Sequence, residues 1–308
     1  MRKVRWSIAA AAIAVAVLNS ATIAAPLAEF LLYSTEDKLS LNALLFAPKS
    51  ATKSIVILIP GMTGGFSGGG HDYRPMAERL TEKGYAFMVP NMRTAGLHGM
   101  LFARFDDYTK DVAAAIAAAK SRGMTDITLF GTSLGGPRAI HYWTKTKDPA
   151  IKAMGFLASI KSPYLEAQLR FDAARRADFD AFLVKCRDLI KEGRGRDVLT
   201  YENWFPGRHI TLSAMSFVDI FGTLEESNAS TIKFGPQLTL PAVVIHGTKD
   251  EIALPPNGTA IYDSLTAAPK REIVWVEGAS HYLAPGPIAE NYAKAVADWV
   301  SRAVPASQ

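Results

Sequence analysis

The sequence has almost no cysteine: Cys186 is the only one among 308 residues. One thiol excludes an internal disulfide, and without a CxxC or Cys/His cluster no zinc site or other metal is expected. A true charge excess is missing too. The formal charge is +5, but Arg2, Lys3 and Arg5 lie in residues 1–24, which hold no acid; beyond them 31 basic residues face 29 acidic ones. So nearly neutral a chain lacks the electrostatic footprint of nucleic-acid binding, and no basic, aromatic-studded sheet pattern replaces it. The apolar run Ser7–Leu18 has twelve residues, short of the ~20 that a membrane-spanning helix needs. The glycines of Gly64–Gly70 lack the GK[ST] ending of a phosphate loop. There is no internal repeat. What is present is an ordinary globular composition, 49% hydrophobic, which excludes disorder, collagen and a multi-pass membrane protein.

The N-terminus carries the first functional signal. A basic head, Met1–Trp6, precedes the apolar run, and small residues follow at Ala21–Ala25. This resembles a secretory signal peptide over residues 1–24, cleaved after Ala24, with export to the periplasm or the medium expected. The alternatives are an uncleaved anchor and a buried helix.

The remainder, 25–308, reads as one domain of alternating strands and helices. Apolar strand-like runs occur at Phe30–Ser34, Leu39–Phe46, Ser54–Ile59, Tyr85–Val89, Ile127–Phe130, Ala153–Ala158, Ala242–His246 and Glu272–Val276. Helical patterns cover Tyr73–Lys83, with Asp72 as its N-cap, and Asp107–Arg122, Gly135–Lys145 and Pro287–Arg302. A short polar turn joins the first two runs into an antiparallel pair; the helix-separated ones imply right-handed crossovers and a mostly parallel sheet. Residues 161–240 interrupt the alternation. They open with a long amphipathic pattern, Tyr164–Lys191, then a glycine-rich break and the aromatics Tyr201, Trp204 and Phe205. An insertion of this length in a compact fold is a lid or cap, here expected to be helical and without a separate core.

The chemistry starts at Gly131-Thr132-Ser133-Leu134-Gly135. This is G-x-S-x-G, directly after an apolar strand and before a helix, the context the motif requires. The serine occupies a sharp turn, so its flanks must be small, and the following helix N-terminus favours developing negative charge. Downstream, the strand Ala242–His246 ends in a loop carrying Asp250, and 31 residues on, after the last strand, stands His281. The order serine, acid, histidine resembles that of the α/β-hydrolase superfamily, and the resemblance covers nearly the whole chain beyond residue 24.

The resemblance implies an eight-stranded, mostly parallel sheet flanked by helices, with the insertion as its cap. It makes Ser133 the nucleophile, His281 the base and Asp250 the acid, with Asp219 and Asp263 as decoys. In the family, a backbone N–H from the loop after the third strand joins one from the residue after the nucleophile in an oxyanion hole. Here those are Met62, with Thr63 as fallback, and Leu134. Pro60 departs from the pattern, since many relatives carry histidine there. No cofactor is implied. The expected substrate is a small-molecule ester or other acyl compound, contacted by Trp204 and Phe205 of the cap. Acyl transfer, thioester or peptide cleavage use the same triad, and a non-catalytic ligand-binding protein could keep the scaffold. Other polar residues draw blander expectations: His71 and His98 as exposed loop histidines, Arg93 as a structural donor, and His246 and Cys186 as packing residues.

Overall fold

The computed structural model describes residues 28–66, 70–205 and 208–307, except for the side chains of Leu97, His98 and Phe205. The leader expected over residues 1–24 lies outside the described residues.

Eight strands form one sheet: β1 (Ala28–Ser34), β2 (Ser40–Phe46), β3 (Ser54–Ile59), β4 (Ala86–Pro90), β5 (Asp126–Thr132), β6 (Ile151–Leu157) and, after the insertion, β9 (Ala242–Gly247) and β10 (Arg271–Val276). Their order is β1-β2-β4-β3-β5-β6-β9-β10. β1 and β2 pair antiparallel, as do β2 and β4, and the rest are parallel. The central strands read as unbroken apolar runs because both faces are covered. In β3, Ile55, Ile57 and Ile59 enter one core while Val56 and Leu58 enter the other, the period-two alternation of a strand.

Helix α1 (Arg74–Glu82) covers one face together with the C-terminal helix Pro287–Ala303. The other face packs on α3 (Tyr108–Lys120), α4 (Gly135–Thr146) and the helix Pro256–Ser264, whereas α2 (Leu97–Phe102) packs against residues 208–221 of the insertion. The expected N-cap, Asp72, stands one residue early. Tyr73 holds the cap position without a side-chain bond, and the Asp72 carboxylate accepts the Arg74 N–H at 3.1 Å.

Residues 161–240 are more than the expected bundle of helices. The amphipathic pattern splits into α5 (Pro163–Arg170) and α6 (Ala173–Lys191), because Phe171 is extended and Asp172 caps the second helix by accepting the Arg175 N–H at 2.9 Å. An antiparallel ribbon follows, β7 (Val198–Phe205) with β8 (Arg208–Ser213), then α7 (Ala214–Phe221) and α8 (Thr231–Phe234). The ribbon arises because Tyr201, Ile210 and Leu212 turn inward against α6 and α7 while Thr200 and Thr211 pair outside. Buried cap side chains such as Phe179, Leu183 and Cys186 belong to the same apolar cluster as one sheet face. Among the described residues no helix is long and apolar enough to cross a membrane.

Candidate active site

Strand β5 runs into helix α4 with only Ser133 and Leu134 between them. Ser133 has φ 53°, a left-handed conformation costly for a residue with a side chain. The turn is held from all sides. Ser133 N–H donates to the Leu157 carbonyl at 3.2 Å, and its own carbonyl accepts from Ser159 Oγ at 3.0 Å. A Cβ on Gly131 would sit 2.2 Å from the Gly135 carbonyl oxygen, and one on Gly135 would sit 2.0 Å from that of Ile59. Only hydrogen fits at either flank. The serine side chain therefore emerges, half-buried, into a cavity of about 300 Å³.

His281 reaches the same cavity from the loop after β10. Its Nδ1–H donates to Asp250, 3.0 Å from each carboxylate oxygen, and both residues are buried. That bond leaves Nε2 as the basic nitrogen. Asp250 Oδ1 also accepts the N–H groups of Ile252 and Ala253, at 2.9 and 2.7 Å, which fixes the carboxylate in place. Behind it His246 donates from Nε2 to the Ala253 carbonyl at 2.7 Å and lies 3.6 Å from Asp250 Oδ2. Burial pushes the His246 pKa down, so this ring is neutral. Among the described residues Ser133 Oγ makes no hydrogen bond; the contact between nucleophile and base often tightens only around substrate.

The loop after β3 closes the site. Arg138, fully buried on α4, donates from Nη1 to the carbonyls of Pro60 and Gly61. In a trans peptide the N–H points opposite to the C=O. With the Gly61 carbonyl drawn inward to Arg138, the Met62 N–H is turned outward, to the side of the cavity that Met62 lines. Gly61 itself lies so near the serine that a Cβ there would meet Ser133 Cβ at 2.8 Å. Among the described residues neither the Met62 nor the Leu134 amide has a hydrogen-bond partner. The arrangement brings together a serine hydroxyl, an imidazole oriented by a buried carboxylate, and two amides beside the serine with no partner among the described residues.

Residues 50–178 match the family described as serine aminopeptidase, S33. The fold matches the esterase domain of a Rhodothermus marinus protein at TM-score 0.61 and 15% identity, covering 90% of this chain and 98% of that one. The chain has the α/β-hydrolase fold, and its residues 50–178 are similar to that family. Est1E of Butyrivibrio proteoclasticus, solved with ferulic acid, superposes at TM-score 0.65 and 20% identity over 89% of this chain and 99% of that one. The Pyrococcus horikoshii acylaminoacyl peptidase gives 0.63 and 13% over 92% of this chain, but only 43% of that larger protein. No curated protein matches the sequence significantly.

On this α/β-hydrolase fold, Ser133, His281, Met62 and Leu134 line one cavity, and Asp250 stands behind His281. The decoys are elsewhere: Asp219 is bound to Arg104 and the Phe105 N–H, and Asp263 is beside a separate shallow pocket. Trp204 also lines the cavity, while its other edges pack on Phe171, Phe179 and Phe221. The Phe205 side chain and that of His98 lie outside the described residues.

The expectation for His71 needs correcting. It is not an exposed loop histidine: it lines the cavity, stacked on Tyr73 and tilted against Tyr282, with Nδ1 accepting the Leu283 N–H at 3.1 Å. Burial, then the nearby His281, hold its pKa down at about 4, so its proton sits on Nε2. Sequence reasoning also passed over Arg138, Arg208 and Tyr282. The signal for Arg138 was a lone basic residue in the apolar first turns of the elbow helix.

Proposed function

We propose that this serine hydrolase cleaves carboxylic esters of small molecules by two-step acyl transfer. His281 takes the Ser133 proton as general base, and Asp250 holds the ring in the required tautomer and stabilises the imidazolium. Ser133 Oγ attacks the ester carbonyl, and the amides of Met62 and Leu134 stabilise the oxyanion. Collapse expels the alcohol, which takes the proton back from His281. Water, activated by the same base, then releases the acid. The observation that carries this reading is the buried Asp250–His281 bond at the wall of the cavity into which Ser133 projects.

The family match also raises an aminopeptidase reading. An aminopeptidase must neutralise its substrate's terminal ammonium, and among the described residues no Asp or Glu lines this cavity. Its walls are mainly apolar (Met100, Ile160, Ile210, Ile220, Phe221), which suits an ester better. Fluorophosphonate labelling of the wild type and of Ser133→Ala, followed by a panel of esters and aminoacyl anilides, tests both readings. Turnover of the anilides without turnover of any ester would replace the ester reading.

We further propose that residues 1–24 direct export and are removed. Expression in a Gram-negative host should yield a soluble protein with its N-terminus at or near Ala25. Intact Met1 or Arg2, found in the membrane fraction alone, would favour an anchor instead.

A further inference from the structure

The wall of the cavity beside His281 differs in kind from the rest. It carries three hydrogen-bond donors gathered around one ring, that of Tyr282. On one side the His71 ring tilts against Tyr282 with centroids 5.6 Å apart. Since its Nδ1 accepts the Leu283 N–H, the neutral ring presents Nε2–H as a donor. On the other side Arg208, from the cap ribbon, donates from Nη1 to the Tyr282 hydroxyl at 2.7 Å. A hydroxyl that accepts from a guanidinium has its own O–H left to give. All three side chains line the cavity.

Apart from the Arg208 bond to the Tyr282 hydroxyl, these donors have no acceptor among the described residues. Arg208 has no ion-pair partner among the described residues, whereas its neighbour His209 is paired with Glu202. His71 Nε2 and the Tyr282 O–H likewise have no acceptor there. A permanent cation and two neutral donors line a cavity that has no carboxylate among its described lining residues and is otherwise largely apolar. Arg next to hydroxyl and imidazole N–H donors is the donor set that binds a carboxylate by charge-assisted hydrogen bonds; here Arg208 is exposed and His71 and Tyr282 are half-buried.

We infer that His71, Tyr282 and Arg208 form a subsite for a carboxylate carried by the substrate, so that the preferred esters have an anionic arm. This rests on the reading of Ser133 as the nucleophile of an esterase only for its catalytic consequence; the subsite itself is a matter of binding. Arg208 reaches the site from the cap and His71 from the loop that follows the Gly64–Gly70 glycines. An anionic substrate therefore bridges cap and core, whereas a plain aliphatic ester meets only apolar walls.

The test separates binding from turnover. Binding to the non-turning Ser133→Ala protein is measured by calorimetry for monoethyl adipate and for its neutral counterpart, ethyl hexanoate. A second pair, 4-acetoxybutanoate and butyl acetate, puts the charge on the alcohol arm instead and shows which side of the ester the subsite serves. At least one anionic ester should bind more tightly than its neutral match. Adding Arg208→Gln should lower that affinity ratio about tenfold, as expected for a lost charge-assisted contact, with smaller losses from Tyr282→Phe and His71→Asn. Neutral esters binding as well as both anionic ones, or a ratio that Arg208→Gln leaves unchanged, would overturn the subsite. Turnover in the parallel wild-type assay reports on the esterase reading alone: no hydrolysis of any of the four esters, with the anionic preference intact, would sink the reaction and leave the subsite standing.

Discussion

The guanidinium of Arg138 holds the carbonyl of Gly61, and through the rigid peptide plane it fixes the direction of the Met62 N–H beside Ser133. The same nitrogen also holds the Pro60 carbonyl at 2.9 Å, and Arg138 Cζ lies 4.0 Å from the centre of the Tyr108 ring. A buried charge with no bidentate carboxylate partner is costly, and burial depresses its pKa. Its use is positional. Arg138→Met should therefore lower kcat by about 10- to 100-fold with a much smaller change in KM, because an oxyanion donor acts on the transition state. Arg138→Lys should recover part of the rate. A loss confined to melting temperature, with kcat intact, would reduce Arg138 to a packing residue.

The nucleophile assignment predicts that Ser133→Ala folds normally, loses fluorophosphonate labelling and loses at least ~10³-fold in kcat. Retention of full activity in a well-folded variant would refute it.

Asp250 and Asp219 make opposite predictions. Asp250→Asn keeps the shape of the side chain but favours the wrong His281 tautomer, so kcat should drop by orders of magnitude. Asp219 is bound to Arg104 and to the Phe105 amide, so Asp219→Asn should cost stability, by about 1–3 kcal/mol, and leave the rate within a few-fold. Comparison of kcat with chemical denaturation in both variants checks the pair; the larger rate loss at Asp219 would reverse the assignment.

Trp204 has two duties, because one part of the ring faces the cavity and the rest is wedged against Phe171 and Phe221, at ring-centre distances of 5.5 and 4.8 Å. Trp204→Ala should cost about 3–5 kcal/mol of stability, as deletion of a buried aromatic does. It should also alter the kcat/KM ratio of octanoate to acetate esters, since only the longer acyl chain reaches the cap. An unchanged ratio would leave Trp204 with packing alone.

Acid should destabilise the protein in a definite window. His71 has its pKa lowered from 6.5 to about 4 in the folded state, and burial lowers those of His141 and His246 as well. Between pH 6.5 and 4 the unfolded chain takes up a proton that folded His71 refuses, so stability declines as pH falls through that range. His71→Asn preserves an acceptor for the Leu283 N–H and removes this term. Its melting temperature should drop less than that of the wild type between pH 7 and 4.5. Equal drops would mean that His71 does not titrate as its burial implies.

Some of this protein is written in short stretches of sequence. The central strand runs are visible because parallel strands covered on both faces must be continuously apolar, as in Ile55–Ile59 and Ala242–Ile245. The elbow is visible because neighbouring backbone leaves room only for glycine two residues to either side of Ser133, itself at φ 53°, and Asp250 and His281 are visible by their place after the last two strands. All of these constraints act over a few residues. What only the tertiary structure decided depends on groups far apart in the chain. The ribbon of β7 and β8 is short and half polar, so its pattern is weak until Tyr201 and Leu212 meet the cap helices. The break at Phe171-Asp172 hid in a pattern that stays amphipathic across it. The direction of the Met62 amide follows from an arginine 77 residues away from Gly61, and the polar wall joins His71, Arg208 and Tyr282 from three separate segments. Backbone periodicity records which face of an element is buried; it does not record which distant donor will reach that face, and in this protein those distant donors shape the cavity around Ser133.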